Sequence, residues 1–165
     1  MNILRQLART SEPRVHAATV PLSEQDVPPG HVLIRLDGAK MTRLDSLYNE
    51  FVHAFKFPEY FGRNYNALSE CLSDLNWLPA DGYVIEIQNS NCLLMNEPDD
   101  VLDGFLDILH RVSGNWAEPV TEGEPWDRSA RPFHVVLVAD SETSFESQRS
   151  GTSVGNVDSG SPKAN

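Results

Sequence analysis

Residues 58–78, PEYFGRNYNALSECLSDLNWL, carry a helical period between two punctuation points. The spacing predicts a helix from near Arg63–Tyr65 to about Asn76. At 100° per residue, Leu68, Cys71, Leu72 and Leu75 fall on one side. Asn66, Ser69, Glu70 and Ser73 cluster on the opposite side, with Asp74 on its flank. That outward face is small, polar and acidic, and Arg63 at its start is the one base near it. Tyr60 and Phe61 stand just before the helix as an aromatic pair in a loop. An aromatic beside an exposed acid makes a good interface anchor, because it adds contact area at low entropy cost. Cys71 sits in the apolar stripe and reads as a buried structural thiol rather than a nucleophile.

The pattern continues on both sides. His31–Leu36 is a short apolar run closed by Asp37-Gly38, a strand and its turn. Thr42-x-x-Asp45 resembles a capping box. Leu44, Leu47, Tyr48, Phe51 and Phe55 follow at helical spacing until Phe57-Pro58 stops them. Gly82–Ile87 is a second strand. Glu97-Pro98-Asp99-Asp100 opens a third helix, since proline fits a first turn and acids suit its dipole. Val101, Leu102, Phe105, Ile108, Leu109 and Val112 form its stripe, and Gly114 is expected to end it. Phe133–Val138 is the most apolar strand and is expected to be central. The loop at 114–132 is long and holds Trp116 and Trp126; long loops in compact domains are often functional or mobile. The order β-α-α-β-α-β points to an α/β fold, a small parallel sheet covered by helices with right-handed crossovers.

The compact domain is placed at about 31–140. Residues 1–30 are an extension of uncertain order ending in Val27-Pro28-Pro29-Gly30. The segment 141–165 is Ser/Gly/Asn-rich and reads as a disordered tail. The chain has 165 residues, enough for one domain with a real core. Thirteen Lys plus Arg against 24 Asp plus Glu leave a net charge of −11. Nucleic-acid binding needs a basic footprint, and this balance is the reverse. No apolar run approaches a membrane span, and the N-terminus lacks the apolar core of a secretory signal. Two cysteines make no disulfide framework, so a reduced, cytoplasmic setting is expected. Cys92 lies in a turn-like stretch and its role is open.

Catalytic chemistry finds little support. The five histidines are scattered, no H-E-x-x-H or C-x-x-C occurs, and no metal or other cofactor is expected. No G-x-S-x-G is present, and Gly62-Arg63-Asn64 lacks the spacing of a phosphate loop. Asp99/Asp103, Asp103/Asp107 and Glu70/Asp74 are like-charged i,i+4 pairs that repel. Either they form a merely solvated face, or a cationic partner relieves them on binding. Between Lys56 and His110 there are ten acids and one base, Arg63, so most of the excess charge lies in one third of the chain.

The run Pro58–Leu78 resembles the barstar family of ribonuclease inhibitors. The resemblance rests on Pro58-Glu59-Tyr60-Phe61-Gly62, Asn64, Ala67-Leu68 and Cys71-Leu72, and it extends over about 31–140. It implies a barstar-like three-stranded parallel sheet covered by about three to four helices. It also implies a protein that is not an enzyme but an intracellular inhibitor, of immunity or antitoxin type. An acidic helix would block the active site of a basic ribonuclease, or ribonuclease-like toxin, by mimicking RNA phosphate. Glu70 would be that acid, Tyr60 an aromatic lid contact and Asn64 a hydrogen-bonding rim residue. Asn66, Ser69, Ser73 and Asp74 would complete the binding face, with Asp107 as a flanking charge. Binding would be 1:1 by a chain that is monomeric when free, without nucleic acid or membrane. The chain departs from the family's best-known member, which has an acid at Asn66, a Trp at Ser69 and Asp at Glu70. Arg63 adds a positive charge facing a basic partner. The alternative is a non-inhibitory acidic module docking to another basic toxin or regulator.

Overall fold

The computed structural model describes residues 2–139; the expected tail at 141–165 lies outside them. The elements run α1 (Ile3–Leu7), β1 (Val15–Ala18), β2 (His31–Asp37), α2 (Leu44–Phe55), α3 (Tyr65–Asp74), β3 (Gly82–Gln88), α4 (Asp99–Ala117) and β4 (Phe133–Val138). The sheet is parallel throughout, in the order β1-β4-β3-β2. It therefore has four strands rather than the expected three. The extra strand, Val-His-Ala-Ala, lies ahead of His31 and pairs Val15 with Val135 through Ala18 with Val138. The strand expected to be central, β4, is an inner strand and buried along its whole length.

Strand alternation divides the interior into two layers. Tyr83, Ile85 and Ile87 of β3 and Phe133, Val135 and Leu137 of β4 face α2, α3 and α4. Phe51 is the hub of that layer, stacked on Phe55 at 5.4 Å and edge-on to Phe105 at 5.8 Å. The opposite face carries Val84, Val136 and Val138, and residues 1–30 cover it with Leu7 and Leu22.

Two polar side chains lie wholly buried on that second face. Glu86 accepts from the Leu22 N–H at 2.5 Å, from Arg35 Nε at 3.2 Å and from Gln88 Nε2 at 2.8 Å. Arg35 stands opposite Glu86 in register, and its guanidinium also reaches Glu24 and the Leu22 carbonyl. His134 Nε2 lies 2.6 Å from the Arg9 carbonyl. A carbonyl can only accept, so Nε2 carries the proton, and Nδ1 accepts from His16 Nε2 at 2.8 Å. Two of the histidines that look scattered in sequence thus meet in space, although no group of three or more metal-ligating side chains occurs among the described residues.

Helix boundaries differ from the sequence reading at two places. The start of α2 is capped by Ser46, whose hydroxyl accepts from the Arg43 N–H at 3.2 Å, and not by a Thr42–Asp45 box. The Glu97 carboxylate also accepts from the Leu44 N–H at 3.0 Å. α4 continues past Gly114 to Ala117, because Trp116 is buried and Arg128 caps the last turn. Arg128 donates to the carbonyls of Asn115 at 3.0 Å and Glu118 at 3.1 Å, satisfying acceptors that a glycine turn would otherwise serve.

Burial lowers the pKa of His134 to about 4, and burial also lowers that of His16. The unfolded histidine binds its proton near pH 6.5, whereas folded His134 resists it. Its share of stability is therefore present above about pH 6.5 and is lost as the pH falls toward 4, on the order of 3 kcal/mol in all. Urea unfolding between pH 6.5 and 5, above the carboxylate range, is expected to show that decline, and His134→Gln to flatten it. The expectation that residues 31–140 form the compact unit is tested by a chain begun at His31. Such a chain uncovers Val84, Val136 and Val138 and leaves Glu86 without the Leu22 N–H. It is expected to melt well below the full chain and to bind an apolar dye.

Candidate partner-binding site

The loop before α3 separates its two aromatics. Phe61 turns inward, 5.0 Å from the Phe57 ring and 5.8 Å from Tyr48. Tyr60 turns outward and is 77% exposed. Asn64 caps α3 by accepting from the Ala67 N–H at 2.9 Å, and its amide nitrogen donates to the Gly62 carbonyl at 3.1 Å. Both ends of Asn64 thus shape the loop from within, a part additional to the rim contact expected of it. Arg63 takes a left-handed backbone, φ 48°, and its guanidinium folds back onto α2. It bonds Asp45 Oδ1 at 2.6 Å and the Asp45 carbonyl at 3.0 Å, and lies 5.6 Å from the Tyr48 ring centre. The positive charge that the sequence places beside the acidic face is thereby drawn away from it.

α3 turns its apolar side to the core through Leu68, Cys71 and Leu72. Asn66, Glu70 and Asp74 form one exposed row at i,i+4 spacing. Ser69 and Ser73 are half-buried on the flank toward α4, where Ser73 Oγ accepts from Asn115 Nδ2 at 3.3 Å. A cleft of about 200 Å3 opens between the helix and the preceding loop, lined by Tyr60, Phe61, Gly62, Ala67, Glu70, Cys71 and Asp74. One aromatic wall and two carboxylates a helical turn apart suit a guanidinium, ammonium or imidazolium group, by charge-assisted hydrogen bonds and by the ring face. The floor of the cleft responds to those carboxylates. Burial pushes the Cys71 thiol pKa up, and the charges of Asp74 and Glu70 push it further. That keeps the thiol protonated and unreactive.

The acids that the sequence concentrates between Lys56 and His110 do not form a single surface. Glu86 is buried on the far face of the sheet, and Glu97 is tied to the start of α2. Asp99, Asp100, Asp103 and Asp107 are exposed on α4, and Asp107 does not line the cleft. The two helices are held together by the Tyr65 hydroxyl, which donates to the Val101 carbonyl at 2.5 Å. Gly104 permits this approach, since a Cβ there would stand 3.0 Å from the Tyr65 ring. Burial raises the Tyr65 phenol far above its ordinary range, so it stays a donor. Asp74, which a helical wheel leaves on the flank, lines the same cleft as Tyr60 and Glu70, the face to which the resemblance assigns all three.

Two comparisons bear on this surface. The sequence profile of a family described as Barstar (barnase inhibitor) matches residues 31–138. A protein of Bacillus subtilis (strain 168), named "Putative ribonuclease inhibitor YrdF", is 33% identical over 70 residues, which is 42% of this chain and 77% of that protein.

Asn64→Ala removes the cap of α3 and is expected to cost about 1 kcal/mol in chemical denaturation. The variant should keep its helix content by circular dichroism, because the apolar side of α3 stays packed.

Proposed function

The chain belongs to the barstar family, and on that premise we propose that it is a protein inhibitor of a basic ribonuclease or ribonuclease-like toxin. The observation that carries this reading is the cleft in which exposed Tyr60, Glu70 and Asp74 converge. A ribonuclease must hold cationic groups where phosphate charge develops in its transition state. Carboxylates set on a rigid helix can occupy those groups in place of phosphate. Glu70, at the middle of the exposed row, is the principal decoy, and Asp74 supports it one turn on. Tyr60 lies over the partner's catalytic groups as a lid. Asn66, Ser69 and Ser73 form the polar rim, Asn64 holds the loop in shape, and Asp107 adds a flanking charge. The bulk of the domain then excludes RNA.

The chemistry needs no cofactor and no catalysis by this chain. One inhibitor blocks one active site, and the free chain is a monomer acting in the cytoplasm. Among the described residues no helix is long and apolar enough to cross a membrane. Long-range attraction between the acidic chain and a basic enzyme speeds encounter and weakens as salt shortens the Debye length.

Barnase and a panel of secreted basic bacterial ribonucleases provide the test. At least one of them should be inhibited 1:1, with the association rate falling as NaCl rises. Glu70→Ala should weaken that complex by about 100-fold or more while the melting temperature stays the same or rises slightly, because the Glu70–Asp74 repulsion is also removed. That size is the one known for close charge pairs in the family's own barnase complex. Equal binding by Glu70→Lys overturns the phosphate-decoy mechanism. Absence of inhibition across the panel overturns the ribonuclease reading in favour of a non-inhibitory docking module.

A further inference from the structure

The second exposed aromatic near α3 lies on the loop between α4 and β4. Trp126 is 63% exposed, and it does not hang on a loose segment. Val120 and Arg128 form an antiparallel bridge with N–H···O distances of 2.8 and 3.0 Å. Asp127 closes the tip by accepting from the N–H groups of Glu122 at 2.8 Å and Gly123 at 2.9 Å, which holds its carboxyl below the usual range. Gly123 permits this turn with φ 80°. The Trp126 indole N–H donates to Glu122 Oε2 at 2.8 Å, which orients the ring. A cleft of about 370 Å3 separates this loop from the C-terminal end of α3, and Ser73, Asp74, Trp126, Asp127, Arg128 and Arg131 are among its walls. Asp74 therefore borders two clefts, each walled by one exposed aromatic, Tyr60 in the first and Trp126 in the second.

We propose that the loop at 118–132 is a second contact arm for the same basic enzyme, with Trp126 as its anchor. This rests on the inhibitor reading above. The occupant of the second cleft is a surface loop of that enzyme carrying a lysine or arginine onto the indole face, with Asp74 and Glu122 at the edges. Charge favours a cationic segment. Glu118, Glu122, Glu124 and Asp127 outnumber the two arginines on the arm, and Arg128 and Arg131, though they border the cleft, have their guanidinium groups engaged within the chain. Arg128 stacks 4.0 Å over Trp116 and caps α4, and Arg131 Nη1 donates to the Ala80 carbonyl at 2.9 Å. Continuity favours the same partner, since Ser73 and Asp74 belong at once to the acidic helix and to this cleft. An aromatic already held in place loses little freedom on binding.

The ribonuclease bound most tightly in the panel above is the probe. Trp126→Ala should weaken binding by roughly 10- to 100-fold, mainly through faster dissociation, with the salt dependence of association retained. Trp126→Phe, which keeps a ring, should recover most of the loss. Unchanged affinity in Trp126→Ala, alongside a weakened Glu70→Ala, overturns the arm and leaves the inhibitor reading standing. Failure of the unaltered chain to bind any enzyme of the panel overturns both. Sedimentation that shows a dimer dissolved by Trp126→Ala overturns the arm in favour of self-association.

Discussion

The hydrogen bond from the Trp116 indole to the Leu72 carbonyl, 2.8 Å long and buried, holds the functional surface in place. Leu72 lies in the last turn of α3, where carbonyls have no partner within the helix. Trp116 supplies the missing donor from α4, and an acceptor left unpaired there would cost about 1–3 kcal/mol. The same indole packs 5.0 Å from the Tyr83 ring of the central sheet and lies beneath the Arg128 guanidinium. One side chain thus joins α3, α4, β3 and the loop at 118–132. Asp74, two residues beyond Leu72, inherits its position from that junction. The extension of α4 beyond Gly114 is what brings Trp116 to the place where this can happen.

The opposite side of the sheet is built on a different principle. There the interior accepts a carboxylate and an imidazole, and it tolerates them because residues 1–30 supply both partners of His134 and complete the set that Arg35 and Gln88 begin around Glu86. Glu86 has an arginine, an amide and a backbone N–H around it; His134 has a carbonyl and a second histidine. Buried polar groups of this kind are costly when half satisfied and specific when fully satisfied. They fix where the N-terminal segment lies, which the small apolar cluster of Leu7, Leu22, Val84, Val136 and Val138 would do less selectively.

What could be read in the sequence follows from how local each signal is. α2, α3 and α4 announce themselves by apolar spacing, and β3 and β4 by short, mainly apolar runs, because those patterns need only one neighbour to make sense. β1 does not, since Val-His-Ala-Ala has neither length nor alternation and becomes a strand only when β4 offers its edge. The end of α4 is hidden for the same reason: Gly114 is a stop signal locally, and the arginine that outweighs it comes 14 residues later. The charge count between Lys56 and His110 treats Glu86 as surface, although strand parity places it on the side that residues 1–30 cover. Within the site, the polar face of α3 was legible from its period. The retreat of Arg63 toward Asp45 was not, because it depends on the packing of α2 against the loop.

The row Asn66, Glu70, Asp74 works against its own helix. Glu70 and Asp74 repel at i,i+4 spacing, and Asp74 is the last residue of α3, where the dipole already presents negative charge. No basic residue stands in that last turn to offset either effect. Each costs a few tenths of a kcal/mol to about 1 kcal/mol. Elsewhere the chain answers such needs readily, with Arg128 at the end of α4 and Arg63 beside Asp45. Arg63, at the start of α3, is instead engaged on α2, and Arg128 and Arg131 beyond its end bond backbone carbonyls. A surface arranged only for stability would set a lysine at the end of this helix. Carboxylates held there uncompensated, beside an exposed tyrosine, make sense when the compensating cation arrives on another molecule.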